Sequence, residues 1–291
     1  KHEIKAERKS IYDDIECLRS FGMDIKRVQK DRTYSYYVAN RPFELPELKL
    51  LVDSIQSSKF ITEKKTNTLI KKLEKLVSKY DAQRLQRQVY VSGRIKTMNE
   101  SIYYTVDAIH NAISENKKIK FQYFQWNVKK EMELRHGGAW YHISPWGLSW
   151  DDENYYMIGY DAEAQMIKHY RVDKMSGVRV LDVPRRGQEQ FADLDLPAYL
   201  RKHFGMYGGP EHRVTLRCTA DLEGAMRERF GTTPMFLPEE NGCFHFDVPI
   251  CVSDQFYGWV CGFGGKIEVV APPEVRQGLF DLSSRIAKAN Q

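Results

Sequence analysis

The residues whose types could carry chemistry gather in one stretch of the chain. Between positions 119 and 174 stand Tyr123, Trp126, Trp140, Tyr141, His142, Trp146, Trp150, Tyr155, Tyr156, Tyr160, His169, Tyr170 and Arg171. Aromatic faces stack on nucleobases, and Arg or His brings charge to phosphates. The same rings could fill a core, and both readings stay open at any single position. Arg171 differs, because a guanidinium on a strand between Tyr170 and Val172 needs an anionic or hydrogen-bonding partner. That partner is either a ligand or an internal carboxylate such as Asp173.

Catalytic patterns are thin by comparison. Gly262-Phe263-Gly264-Gly265-Lys266 has the look of a phosphate loop, but Ile267 follows Lys266 where Ser or Thr would bind the metal. The run also precedes a strand, so no helix N-terminus offers its N–H groups. His136-Gly137-Gly138 would suit an oxyanion loop, yet no G-x-S-x-G elbow accompanies it, and it reads as a hairpin tip. Asp151-Asp152-Glu153 lies between strands and reads as a solvated turn. No zinc-protease, EF-hand or dinucleotide pattern is present. Five cysteines (Cys17, Cys218, Cys243, Cys251, Cys261) are odd in number and lack a C-x-x-C pair, which favours free thiols in a reducing cytoplasm over disulfides or zinc. These observations predict no catalytic residue, no metal, no cofactor and no enzyme. The rival is a hydrolase or nuclease built on the Asp151–Glu153 turn and His142.

The elements that must position these residues follow from periodicity. Over 7–21, Ile11, Ile15, Leu18 and Phe21 share one helical face and Gly22 stops the helix. Ile25 to Val38 reads as two short strands about the polar tip Lys30-Asp31-Arg32, with Tyr34, Tyr36 and Val38 alternating. Helix, glycine and basic-tipped hairpin is the order of a recognition helix and its wing. Residues 41–100 read as helical and basic: Pro46 opens a helix with Leu48, Leu51, Val52 and Ile55 on one stripe. A second helix after Thr62 carries Leu69, Leu73, Leu76, Val77 and Tyr80. These stripes pack either on a dimer partner or within the chain. A helix marked by Ile102, Val106, Ile109 and Ile113 then leads into short strands over 118–183, which together suit a small barrel. Residues 184–211 read as a linker with helical turns. From 212 the strand–helix–strand–strand–helix–strand alternation, closed by a helix over 273–289, predicts a ferredoxin-like α+β sandwich.

Charge separates the two ends. Residues 1–100 hold 22 Lys and Arg against 14 Asp and Glu, whereas residues 187–291 hold 10 against 14. A basic excess at one end favours an anionic partner there, although solvated lysine-rich helix faces would give the same balance. No apolar run approaches the roughly 20 residues of a membrane span, and residues 1–9 lack the apolar core of a secretion signal. We therefore expect a cytoplasmic protein without membrane partners. The chain opens within a helical pattern, which leads us to expect that residues precede it.

In their order along the chain, these motifs resemble the WYL-domain transcription regulators with an N-terminal winged helix. Arg8-Lys9-Ser10-Ile11-Tyr12-Asp13-Asp14-Ile15, with Leu18 and Gly22, resembles the recognition-helix pattern of that family. Tyr155-Tyr156-Met157 stands where the family has Trp-Tyr-Leu. Lys168-His169-Tyr170-Arg171-Val172-Asp173-Lys174-Met175 resembles its R-x-F-R-L-D-R-I signature, keeping the second arginine and replacing the first and third by lysine. Phe121 with Tyr123 fits the opening F-x-Y, and Pro145 the proline before the tripeptide. Trp259, Gly262 and Ile267 to Pro272 look like the WCX-type C-terminal extension.

The resemblance implies an α+β multidomain protein. Its parts would be a partial winged helix-turn-helix over 1–40, a helical linker or dimerisation region over 41–100 and an Sm/SH3-like effector-sensing barrel over 101–186. A linker over 187–211 and the ferredoxin-like domain over 212–291 would follow. It implies a homodimer on double-stranded operator DNA, with Arg8, Lys9, Ser10, Tyr12, Lys30 and Arg32 as DNA-contacting residues. It implies a pocket built from Tyr123, His142, Tyr156, His169 and Arg171 that senses a single-stranded nucleic acid or nucleotide. His142 stands where many members have arginine, so the pocket's charge would vary with pH. The alternative is a constitutive nucleic-acid binder without an effector switch.

Overall fold

The computed structural model describes residues 6–31, 33–39, 42–85, 96–97 and 99–291, with the side chains of all of these except Lys30, Lys79 and Arg84. The fold is mixed α+β and divides into two units, Lys1–Met98 and Asn99–Gln291.

The first unit holds α1 (Arg8–Ser20), the hairpin β1 (Ile25–Lys30) and β2 (Thr33–Val38), then α2 (Leu45–Ser57), α3 (Glu63–Glu74) and α4 (Lys79–Leu85). Arg19 ties α1 to the hairpin: its Nε and Nη2 donate to the Ile25 carbonyl at 3.2 and 2.8 Å. Of the apolar stripe foreseen on α1, Ile15 is buried while Ile11, Leu18 and Phe21 are exposed. A capping box of Glu44 and Glu47 starts α2, and the Thr62 hydroxyl accepts from the Lys65 N–H to start α3. The single helix foreseen after Thr62 is two helices here. The Ser78 hydroxyl accepts the Asp81 N–H at 3.2 Å and opens a new helix, so Leu76 and Val77 fall in the break.

In the second unit α5 (Ile102–Ser114) packs on a curled antiparallel sheet of β3 (Lys117–Trp126), β4 (Met132–Leu134), β5 (Tyr141–Asp151), β6 (Asn154–Asp161), β7 (Met166–Arg171) and β8 (Met175–Pro184). Pairing runs β4-β3-β5-β6-β7, and β3 also takes β8. Between β5 and β6, Asp152 and Glu153 both adopt positive φ (40° and 61°) while Asp151 pairs with Asn154. That is a two-residue turn of type I′ geometry, so the acidic run is a hairpin turn. Ile109, Ile119, Phe121, Ile143, Met157, Ile158 and Val172 are buried in this part.

Two short helices, α6 (Gln188–Ala192) and α7 (Leu196–Arg201), lead to β9 (Glu211–Thr219), α8 (Glu223–Phe230), β10 (Leu237–Pro238), β11 (Cys243–Cys251), α9 (Asp254–Cys261), β12 (Ile267–Ala271) and α10 (Pro273–Ala289). The strand order is β10-β11-β9-β12, antiparallel throughout. Their core is rich in phenylalanine, with Phe230, Phe244, Phe246 and Phe256 packed beside Val214, Leu216 and Met226. The glycine run before β12 is a tight connector, Gly264 and Gly265 taking φ of 61° and 85°. Lys266 is bound to Asp221 at 2.7 Å.

Candidate functional site

Strand pairing gathers the site. Tyr156 on β6 lies opposite Arg171 on β7, and Tyr123 on β3 lies opposite Met175 at the start of β8. Tyr123, Tyr156, His169 and Arg171 line one cavity of about 890 Å³, a size that takes drug-sized ligands. Tyr141 and Tyr170 join them from the sheet, Arg135 and His136 from the turn after β4, and Lys174 from the turn before β8. Tyr199, His203, Met206 and Tyr207 add a wall from α7 and the segment after it. Glycine is required in that segment, since a Cβ at Gly209 would collide with the Val252 carbonyl.

Arg171 is held by the protein itself. Its Nε and Nη2 donate to the two carboxylate oxygens of Asp173 at 3.0 and 2.8 Å, and Nη2 also donates to Asn154 Oδ1 at 2.9 Å. This fork raises the guanidinium pKa further above its ordinary value. Of the two partners the sequence left open, the carboxylate is the one present. The Tyr123 hydroxyl accepts the Arg171 N–H at 3.1 Å, and burial pushes Tyr123 up to about 12. Lys168 is likewise paired, to Asp161 at 2.6 Å.

His169 bridges the sheet to the wall. Its Nδ1 lies 2.8 Å from the Met206 carbonyl, so Nδ1–H is the donor and Nε2 accepts from the Tyr199 hydroxyl at 3.0 Å. His203 donates through Nδ1 to the Tyr199 carbonyl at 2.8 Å, and its ring meets that of His169 edge-on at 4.8 Å. Burial lowers the pKa of both imidazoles. Arg229 on α8 braces His203, its Nη2 donating to the His203 carbonyl at 2.7 Å and its guanidinium lying 4.2 Å over Phe204.

Tyr123, Tyr141, Tyr170 and Phe121 form one aromatic cluster with centroids 5.2 to 6.4 Å apart. Tyr170 is only 6% exposed, and among the described residues its hydroxyl has no hydrogen-bond partner. Burial raises its pKa strongly.

His142 does not join the cavity. It is exposed and faces away from it, while its neighbour Tyr141 lines the wall, as alternation along a strand requires. Two residues absent from the sequence-based set stand in the wall instead. Arg135 lies over the Tyr123 ring at 6.0 Å, and Lys174 is half-buried. Arg135 was hidden in a run that reads as a hairpin tip, and Lys174 in a signature position where lysine replaces arginine.

In the first unit Arg8, Lys9, Ser10 and Tyr12 are all exposed on α1. Arg8 Nε donates to the Tyr12 hydroxyl at 3.1 Å, and the Tyr12 ring meets Tyr36 of β2 edge-on. Arg32 and the side chain of Lys30 lie outside the described residues. Among the described residues no cluster of His, Cys, Asp and Glu could hold a metal ion, and no helix is long and apolar enough to cross a membrane.

Comparison with known proteins identifies two domains. Residues 104–180 match the WYL domain and residues 210–287 the WCX domain. No curated protein matches the chain. Among solved structures, proteasome accessory factor B/C (PafBC) of Arthrobacter aurescens is similar at 18% identity and a TM-score of 0.30, over 96% of this chain and 41% of that one. The chain thus spans less than half the length of that protein. A CRISPR Cas-related protein is similar at 13% identity and a TM-score of 0.39, over 99% of this chain and 75% of that one.

Proposed function

From a chain that carries a WYL and a WCX domain, we propose a DNA-binding transcription regulator whose WYL cavity senses a nucleic acid or nucleotide. The observation that carries the reading is the cavity itself. Four of the five residues singled out by sequence line a single space with stacking rings and cations in its walls. In this reading α1 and the β1–β2 hairpin are the recognition helix and wing, with Arg8, Lys9, Ser10 and Tyr12 presented to DNA and the basic tip at Lys30 and Arg32 placed on phosphates. The curled sheet is the Sm-like barrel, and the β10-β11-β9-β12 order with its helices supports the ferredoxin-like assignment of the last part. The regulator acts as a homodimer and has no catalytic activity. Effector binding shifts it between arrangements of different operator affinity.

In vitro selection from a random double-stranded library tests the first half. A motif with two related half-sites should be enriched, and its affinity should change several-fold when a short single-stranded DNA is added. Enrichment of no motif would overturn the regulator reading. An enriched motif whose affinity ignores every oligonucleotide and nucleotide would leave a constitutive binder. Replacing Arg8 and Lys9 by alanine should lower the slope of log affinity against log salt by about 1 for each phosphate that is no longer neutralised.

A further inference from the structure

We propose that Arg135 and Lys174, and not Arg171, hold the anionic group of the cavity's ligand, and that this group is a phosphate. The proposal rests on the effector reading of the cavity and assigns its charge-reading residues.

Arg171 has little left to offer. Its charge faces the Asp173 carboxylate through a two-bond fork, and Nη2 also reaches Asn154. An incoming anion would have to displace Asp173 or accept a site whose charge is already neutralised. Lys168 is committed to Asp161 in the same way. These two residues are the sheet's signature cations, and each already pairs with a carboxylate of the protein.

Arg135 and Lys174 are different. Among the described residues neither has a carboxylate within ion-pair distance or a hydrogen-bond acceptor. They lie near enough to feel each other: burial, then Arg171, and also Arg135, lower the Lys174 pKa, with only Asp173 opposing. Two like charges share one wall, and the carboxylate that acts on Lys174 is already forked to Arg171, which favours a bound anion there. Asp152, also in the wall, is not among the groups that act on Lys174.

A second feature points the same way. Tyr170 is buried in the same wall, its hydroxyl is unpartnered, and Arg135 acts on it electrostatically. An O–H donor, a planar guanidinium and an ammonium belong to different elements of the one cavity lining: β7, the turn after β4 and the turn before β8. A tetrahedral anion with several acceptor oxygens can use donors from several directions, whereas a carboxylate is best met by one planar fork, and the fork of Arg171 is already committed internally. The rings of Tyr123 and Tyr141 line the same cavity, and aromatic rings are the groups on which bases stack.

Calorimetric titration of the full chain with thymidine, thymidine 5′-monophosphate, thymidine 5′-diphosphate and inorganic pyrophosphate tests the assignment. Phosphorylated probes should bind and thymidine bind at least tenfold more weakly. Arg135→Ala with Lys174→Ala should erase that preference, on the order of tenfold for each charge removed, while Lys174→Arg should retain it. Both positions are at the wall surface, and an unchanged melting temperature of the double variant confirms that the fold is intact. If no phosphorylated probe binds, or if the double variant binds as the wild type does, the proposal is overturned. Phosphate binding that depends on Arg135 and Lys174, with operator affinity indifferent to every probe, would retain the subsite and remove the switch. An operator response surviving in the double variant would retain the switch and remove the subsite.

Discussion

The second unit holds two antiparallel sheets that use aromatic rings in opposite ways. The β4-β3-β5-β6-β7 sheet with β8 gathers tyrosines: Tyr123, Tyr141 and Tyr170 meet around Phe121 beside a cavity. The β10-β11-β9-β12 sheet gathers phenylalanines: Phe230, Phe236, Phe244, Phe246 and Phe256 pack with Trp259 into a continuous core. Ring burial stabilises both, but every hydroxyl in the first must find a partner or go without. The phenylalanine sheet keeps its polar groups on the far face, where Thr215 binds Asp247 and Arg217 reaches Glu239 and Glu268. Such exposed pairs contribute little to stability. One sheet is built to be filled by its own side chains, and the other retains donors that its own side chains leave unmet.

The largest expected effect lies in the phenylalanine core. Phe246 is 1% exposed and touches three other phenylalanine rings. Phe246→Ala should destabilise the second unit by about 3–5 kcal/mol in urea unfolding followed by far-UV circular dichroism. A loss below about 1.5 kcal/mol would mean that this core relaxes around the void, and the contrast between the sheets would weaken.

Arg171→Ala comes next, at about 2 kcal/mol, because it strips a half-buried carboxylate of its charge-assisted fork. Removing Asp173 in the Arg171→Ala background should cost much less than removing it alone. A double-mutant cycle without coupling would show that Arg171 is held ready for a ligand and has no structural partner, contrary to the geometry.

A smaller loss is expected on acidification. Burial holds His169 and His203 below the ordinary histidine value of 6.5, so the unfolded chain binds more protons than the folded one as pH falls through that value. Stability is therefore full above pH 6.5 and declines as the pH drops toward the folded-state values. His169→Gln should flatten that decline in melting temperature between pH 7 and 5. A decline equally steep in the variant would place the titrating group elsewhere.

Much of this arrangement was legible in the sequence, and the failures have physical causes. The change from helix to short strands and their span of 118–183 were read to within a residue or two, and the helix over 273–289 at the bounds observed. The break at Ser78 was missed because an uninterrupted apolar stripe hides a side-chain cap that restarts a helix. His142 was assigned to the pocket from the family position, although alternation with Tyr141 decides the face and one residue of register exchanges the two. Arg135 was invisible because its role depends on the left-handed turn at His136 and Gly137, which brings a loop cation to a ring on another strand. The Arg171–Asp173 fork was foreseen only as one of two options, since spacing shows proximity and not occupancy.

The smallest effect tests the comparison most sharply. Tyr170→Phe makes one position of the tyrosine sheet resemble the phenylalanine sheet, deleting a buried hydroxyl that has no partner. If that hydroxyl serves only packing, its removal relieves an unmet polar group, and stability should rise or stay level within about 1 kcal/mol. If it serves a ligand, the same change should leave stability level or improved while affinity for thymidine 5′-diphosphate falls several-fold. A hydroxyl kept for a ligand would therefore show stability and affinity moving in opposite directions. Parallel losses of both would show that the hydroxyl has a structural partner, and affinity unchanged beside a gain in stability would leave Tyr170 as an unfilled defect of the core.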